Sequence, residues 1–302
     1  MKKPKFLVSL PTCDNDFQIE QALSAKQAAL KLGIDVEVAY SDNDAVNQST
    51  YILKAIQSPL ESRPQGIVLE PVRGSALPQV AKVACDAGMS WAVLNRAPDY
   101  IKDLRRTAKG SVFALSSSHS EIGRIQGRQF AALLPQGGSV LYIEGPSYSS
   151  SSQKRTSGML ETKPRNIQVT TLKGQWTAES AERAVSSWLK LVTSQKVPID
   201  LVGAQDDSMA IGARDAFEKI TNEEERARWL SLPFTGCDGV PNAGQKWVRD
   251  GMLAATIYIP PLAGQAIEIL ARAMKTGVQP PEHTFTGSAS IPPLNALVPQ
   301  KP

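Results

Sequence analysis

Three acidic side chains stand where a chain of this pattern could do chemistry. Asp206 and Asp207 follow the apolar run Leu201-Val202-Gly203-Ala204, and Asp238 sits within Thr235-Gly236-Cys237-Asp238-Gly239. In an open α/β sheet, ligands bind at the carboxyl ends of the strands. An Asp placed there is a candidate ligand contact, and this is compatible with its capping the helix that follows. Paired carboxylates such as Asp206-Asp207 can serve as general acid and base, yet no His or Lys stands near them in sequence. A Gly-x-Gly-x-x-Gly turn, a phosphate-binding P-loop and a Gly-x-Ser-x-Gly elbow are all absent. The pattern therefore points to binding and away from catalysis, and no cofactor is expected. Cys13, Cys85 and Cys237 are odd in number and lack CxxC spacing, which leaves neither a disulfide framework nor a zinc site. Cys85 reads as core, whereas Cys13 and Cys237 fall at strand ends and are expected to line one cleft. His119 and His283 have no metal-ligand spacing and read as surface histidines.

The 302 residues fit one large domain or two of ordinary size. An apolar fraction of 42% and a charged fraction of 21% are those of a soluble globular chain with ample core. The net charge of +4 comes without a long Lys/Arg run, so no nucleic-acid face is expected. No segment approaches the ~20 apolar residues of a membrane span. The basic start, Met1-Lys2-Lys3-Pro4-Lys5, is followed by an apolar run, Phe6–Leu10, too short for a signal h-region. That run reads as the first strand, so either a leader has been cleaved or the protein is cytoplasmic.

The elements that must position these groups alternate. Short buried strands are expected at Phe6–Leu10, Ile34–Ala39, Gly66–Leu69, Trp91–Leu94 and Val112–Leu115. Helical spacing of Ile19, Ala22, Leu23, Ala25, Ala28, Ala29 and Leu32, closed by Gly33, predicts the first helix. After Ser116-Ser117-Ser118 the rhythm restarts. Helix is expected over Gly123–Leu134, strand over Gly138–Ile143, a Ser-rich loop over Gly145–Ser152 and helix over Gln153–Glu161. Further strands follow at Gln168–Leu172, Asp200–Ala204, from Phe234 and around Thr256, with helices at Ala178–Val192, Ser208–Phe217, Pro241–Arg249 and Leu262–Met274. The tail after Val278 reads as a return segment. Strands alternating with helices mean βαβ units and a largely parallel sheet. Two such runs imply two similar lobes.

The chain resembles the type I periplasmic binding proteins, the ribose-binding group of sugar receptors, whose fold is shared with LacI-type effector domains. The resemblance covers Phe6 to about Pro293. It rests on Asp250-Gly251 followed by Leu253-Ala254-Ala255-Thr256-Ile257, on Gly236-Cys237-Asp238-Gly239, and on Gln205-Asp206-Asp207-Ser208-Met209-Ala210-Ile211-Gly212.

That resemblance implies an α/β fold of two Rossmann-like lobes with parallel sheets, joined by a three-strand hinge. The lobes would comprise 1–118 with 260–287, and 119–259 with 288–302, and a ligand in the cleft would favour closure. Matched residue by residue, it implies ligand contacts at Asn15 and Phe17, with Gln18 in place of a second aromatic, and at Glu70, where Asn is common. Asn95-Arg96 stands in place of an acid-Arg pair, Ser118 at a crossover, and Gln153 in place of an Arg. Trp176 matches a stacking aromatic, Asp206 and Asp238 are polar contacts, and Ile259 replaces a Gln. An Arg lost and a Glu gained make the pocket more acidic than a ribose receptor's. Another polyol, a larger sugar or a partly cationic compound would suit it. The implied function is capture of a small polar ligand, a carbohydrate first, for an ABC permease, by a periplasmic monomer that is not an enzyme and binds no nucleic acid. A cytoplasmic sugar-sensing effector domain is the alternative.

Overall fold

The computed structural model describes residues 3–72, 77–191 and 197–299. Along the chain run β1 (Lys5–Leu10), α1 (Asp16–Leu32), β2 (Asp35–Tyr40), α2 (Ala45–Gln57), β3 (Gly66–Leu69), α3 (Pro78–Asp86), β4 (Ser90–Leu94), α4 (Tyr100–Thr107) and β5 (Val112–Ser117). Then come α5 (His119–Leu133), β6 (Gly138–Glu144), α6 (Ser150–Thr162), β7 (Ile167–Lys173), α7 (Ala178–Leu189), β8 (Leu201–Ala204), α8 (Asp207–Glu218) and α9 (Glu223–Leu230). The last elements are β9 (Phe234–Thr235), α10 (Gly244–Arg249), β10 (Thr256–Tyr258), α11 (Ala263–Thr276), β11 (His283–Thr286) and β12 (Ala289–Ile291).

These elements form two compact units. One comprises the chain up to Ser117 plus Pro261–Thr286; the other comprises Ser118–Pro260 plus the residues from Gly287 onward. The first carries a parallel sheet in the order β11-β5-β4-β3-β1-β2. Its inner strands β1, β3, β4 and β5 are buried on both faces because helices cover both. Phe6, Val8, Val68, Ala92 and Phe113 pack with α1 and α11 on one side, while Leu7, Ile67, Leu69, Trp91 and Val93 pack with α2, α3 and α4 on the other. Helix α1 starts where Asn15 accepts from the Phe17 and Gln18 amides, and it stops at Gly33, whose φ of 65° suits glycine. The Ala-rich face of α1 lets it lie close against the sheet.

The second unit carries a parallel sheet, β7-β6-β8-β9, and an antiparallel pair, β10-β12. Leu141, Val202, Phe217, Trp229 and Phe234 pack on one side of it; Phe130, Val140, Tyr142, Met159 and Leu201 pack on the other.

Four elements were not anticipated. Helices α4 and α9 are mostly charged, and their inward faces consist of little more than Ile101 with Leu104, and Trp229. Strands β11 and β12 lie in the tail read as a return segment; their sequences, His283-Thr284-Phe285-Thr286 and Ala289-Ser290-Ile291, carry almost no hydrophobic signal. Each adds to a pre-existing strand, β5 or β10, which is a tertiary cause. The end of the expected helix at Val192 lies outside the described residues.

Candidate functional site

In the first unit the polar groups gather at the carboxyl ends of β1, β3 and β4. Asn15 and Phe17 follow β1, and both are buried, as is Gln18. Gln18 Nε2 donates to Glu70 Oε2 at 3.0 Å, and Asn95 Nδ2 donates to the same oxygen at 2.9 Å. Glu70 is itself fixed from behind: Gln48 Nε2 donates to its carbonyl at 2.9 Å, and its amide donates to Ser9 O at 3.0 Å. Asn95 has φ 56°, a left-handed conformation that Asn tolerates better than most residues. Half-buried Arg96 turns Nη1 back to the Asn95 carbonyl at 3.0 Å. Asn15, Gln18, Glu70 and Asn95 thus form one connected group, with Arg96 at its edge.

The second unit builds its own group at the ends of β6, β8 and β9. Asp206 caps α8, accepting from the Met209 amide at 2.9 Å. Asp238 is buried with φ 109°, and it is held there because its amide donates to Ile257 O and its carbonyl accepts from Ile259 N. Arg155, on α6, has Nη2 3.7 Å from Asp238 Oδ1, and its guanidinium lies 5.5 Å from the Trp176 ring centre. Arg155 Nη1 also donates to the Gln205 carbonyl. Trp176 has φ 64°, unusual for so large a residue. Of the six described non-glycine residues with positive φ, Asn95, Trp176 and Asp238 stand at these strand ends, the kind of place where backbone strain collects at functional sites.

The charges of this group are coupled. Burial pushes the Asp238 carboxyl well above the usual carboxylate range; Asp206 beside it adds to this, Arg155 opposes it, and Asp207 adds further. The closeness of the two acids favours the protonated form of Asp238. Burial disfavours the Arg155 charge, but the facing acids outweigh it and the guanidinium stays charged. Asp207 is committed elsewhere. It accepts from Gly239 N at 2.7 Å and from Thr256 Oγ1 at 2.6 Å, tying the α8 start to the segments after β9 and in β10. Among the described residues no group of three His, Cys, Asp or Glu is arranged to hold a metal.

Several expectations need correction. Gln153 is exposed and donates to Ser147 O at 2.7 Å; the inward-facing residue of α6 is Arg155. The reason is register. The Ser-rich stretch is not all loop: Ser149 caps α6, which begins at Ser150, and its buried face is Ser151, Ser152, Arg155, Gly158 and Met159. The arginine counted as lost is therefore present. Ile259 has a fully buried apolar side chain and serves Asp238 through its backbone. Ser118 caps α5, its hydroxyl accepting from Glu121 N at 3.3 Å. Cys237 is fully buried and cannot line an open surface, whereas Cys13 is exposed. His119 is not a plain surface residue: its Nε2 lies 3.0 Å from Ser151 Oγ.

Missed altogether was the support beneath Arg155. Gln205 Nε2 reaches Tyr142 Oη at 3.1 Å, Ser152 O at 3.1 Å and Thr156 Oγ1 at 2.9 Å, while its Oε1 accepts from Gly145 N at 2.9 Å. Glu144 joins through Thr156 and Lys173. Gly145 is required by close approach: a Cβ there would lie 2.2 Å from Trp176 Cζ2. The 3.6-residue spacing of Ser151, Arg155 and Gly158 was a signal available in the sequence.

Residues 6–277 match the periplasmic binding protein domain. A putative rhizopine-binding protein of Rhizobium meliloti is 25% identical over 191 residues, which is 62% of this chain and 58% of the relative. The chain thus spans under two thirds of that relative's length. A D-ribose/D-allose-binding protein of Pseudomonas aeruginosa is 24% identical over 96% of this chain and 88% of its own. A crystal structure of an ABC transporter periplasmic solute-binding protein from Actinobacillus succinogenes, with bound D-allose, superposes with a TM-score of 0.80. It is 21% identical and covers 95% of this chain and 97% of the other, which speaks for the fold.

Proposed function

The chain belongs to the periplasmic binding protein family, and on that premise we propose that it captures a small polyhydroxylated compound, a sugar or cyclitol, and hands it to an ABC permease. Members of this family are binding proteins, and the relative's printed name, a D-ribose/D-allose-binding protein, supports a carbohydrate ligand. The observation that carries the reading is buried Arg155, facing Asp238 and lying 5.5 Å from the Trp176 ring centre.

The chemistry of that trio suits a sugar. The guanidinium fork offers two parallel donors to adjacent hydroxyls, and charge strengthens each bond. Asp238 and Asp206 offer acceptor oxygens to the ligand's hydroxyls. The Trp176 face takes the sugar's C–H groups. Glu70 and Asn95 offer the first unit's polar contacts. The protein would work as a single chain in the periplasm and break no bond in its ligand.

Thermal unfolding in a panel of aldoses, ketoses and cyclitols at millimolar concentration tests the reading. A saturable rise in Tm with at least one of them is expected, since a ligand at ~100 times its Kd adds about 2.7 kcal/mol. A flat response across the panel would overturn it.

A further inference from the structure

We propose that the ligand carries an ammonium group, and that Glu70 with Gln18 forms the subsite that receives it. The inference rests on the polyhydroxy reading above and narrows it to amino sugars and amino cyclitols.

The hydrogen bonds around Glu70 are lopsided. Gln18 Nε2 and Asn95 Nδ2 both donate to Oε2, and Oε1 accepts from no described residue. Among the described residues no lysine, arginine or histidine forms an ion pair with this carboxylate. Arg96 is adjacent to Asn95 in sequence, yet the bond it makes in this unit goes to the Asn95 carbonyl. Glu70 is nevertheless buried, at 8% exposure. Both described donors to this carboxylate are neutral and serve one oxygen, which leaves the other open to a charged donor.

Gln18 makes the same request independently. Its side chain is more than nine-tenths buried, and its Oε1 has no hydrogen-bond partner. The amide cannot be turned over to mend this, because Oε1 would then face Glu70 Oε2, acceptor against acceptor. Gln18 is also fixed in place, since its backbone amide is one of the two that Asn15 caps. Two acceptor oxygens, on side chains joined by the Gln18–Glu70 hydrogen bond, therefore have no described donor. A hydroxyl would bring one proton and no charge. An ammonium brings three donors and the missing positive charge, which matches both oxygens.

The test is calorimetric titration of the full chain at neutral pH with matched probes. D-galactose is set against D-galactosamine, D-glucose against D-glucosamine, and myo-inositol against an amino-inositol, with the N-acetylated sugars as uncharged controls. In at least one pair the amine should bind about tenfold tighter or better, and its N-acetyl form should lose that gain. These arms use the native protein and do not depend on any variant folding. Glu70→Gln should then weaken the amine more than its neutral partner and so abolish the preference. Neutral members binding as tightly as their amines in every pair would overturn the inference and leave the sugar reading standing. A Glu70→Gln variant that retains the preference would also overturn it. Binding by neither member of any pair would overturn the inference, and a flat thermal panel beside it would remove the polyhydroxy reading as well.

Discussion

Arg155 Nη2 lies 3.7 Å from Asp238 Oδ1, and the two side chains are only 8% and 12% exposed. At that distance this is a long ion pair, made in near-dryness. Arg155 does not close on Asp238 because its Nη1 is engaged by the Gln205 carbonyl. The guanidinium is thus held between a backbone acceptor and an acid pair, under an indole face.

Removing one partner should be costly. Arg155→Ala removes the cation facing buried Asp238, so unfolding free energy should fall by about 3–5 kcal/mol. Arg155→Lys keeps the charge but not the fork, so its stability loss should be smaller while ligand affinity still falls by tenfold or more. Urea melts of the apo protein and titration of the bound sugar measure the two effects separately.

Asp238 should print itself on the pH dependence of stability. Its folded-state pKa is raised, chiefly by burial and then by Asp206. The folded protein therefore holds this proton at pH values where the unfolded chain, with an Asp near 3.9, has lost it. Stability from this group is fully present below about pH 3.9 and declines as pH rises toward the folded-state value. Asp238→Asn should flatten that slope and raise the apo Tm at neutral pH, while weakening the ligand. A slope unchanged in the variant would show that other groups set it.

Trp176 and Gly145 should behave as one unit. Trp176→Ala should cost the ligand about 2 kcal/mol or more, roughly thirtyfold, whereas Trp176→Phe should retain part of the affinity. Gly145→Ala puts a Cβ where Trp176 Cζ2 now lies. It should shift the indole fluorescence and reduce affinity without touching any polar contact. Affinity unchanged in Gly145→Ala would separate the two residues.

Gln205→Leu tests the support beneath the site. It leaves Tyr142 Oη, Thr156 Oγ1, the Ser152 carbonyl and the Gly145 amide short of a partner. Each unmade buried bond costs about 1–3 kcal/mol, so a loss near the upper end of single-mutant effects is expected in urea unfolding.

The thiols should sort by burial. Burial, then Asp86, pushes the Cys85 thiol up to about 12, and burial pushes Cys237 well above its ordinary value. Only exposed Cys13 should react with a thiol reagent in the native protein at pH 8. Reaction of all three without denaturant would contradict the burial of the other two.

Hydropathy period and punctuation are local quantities, and they carried the strand-helix alternation, the parallel sheets and the strand-end positions of Glu70, Asn95, Trp176, Asp206 and Asp238. An apolar run of four to six residues followed by a polar turn and a 3.6-period helix can be read without knowing what it packs against. The same reading passed over α4, α9, β11 and β12, whose sequences are mostly polar. They are held in place by surfaces other segments supply: Trp229 stacks on Phe217 at 4.7 Å, and β11 takes its hydrogen bonds from β5.

The site shows the same division at the scale of single side chains. Which residues stand at strand ends followed from order along the chain. Which of them point inward and meet depended on where α6 begins, and moving that start from Gln153 to Ser150 turns Gln153 outward and brings Arg155 in. A helix advances 100° per residue, so a start misplaced by three residues leaves the whole face undecided. The electrostatic coupling of Asp238 with Asp206, the 2.2 Å approach that demands Gly145, and the unpartnered oxygen of Gln18 depend on distances between residues far apart in sequence. Sequence alone established the kind of protein and its alternating strands and helices; only the packed tertiary structure decided which charges face one another at the strand ends.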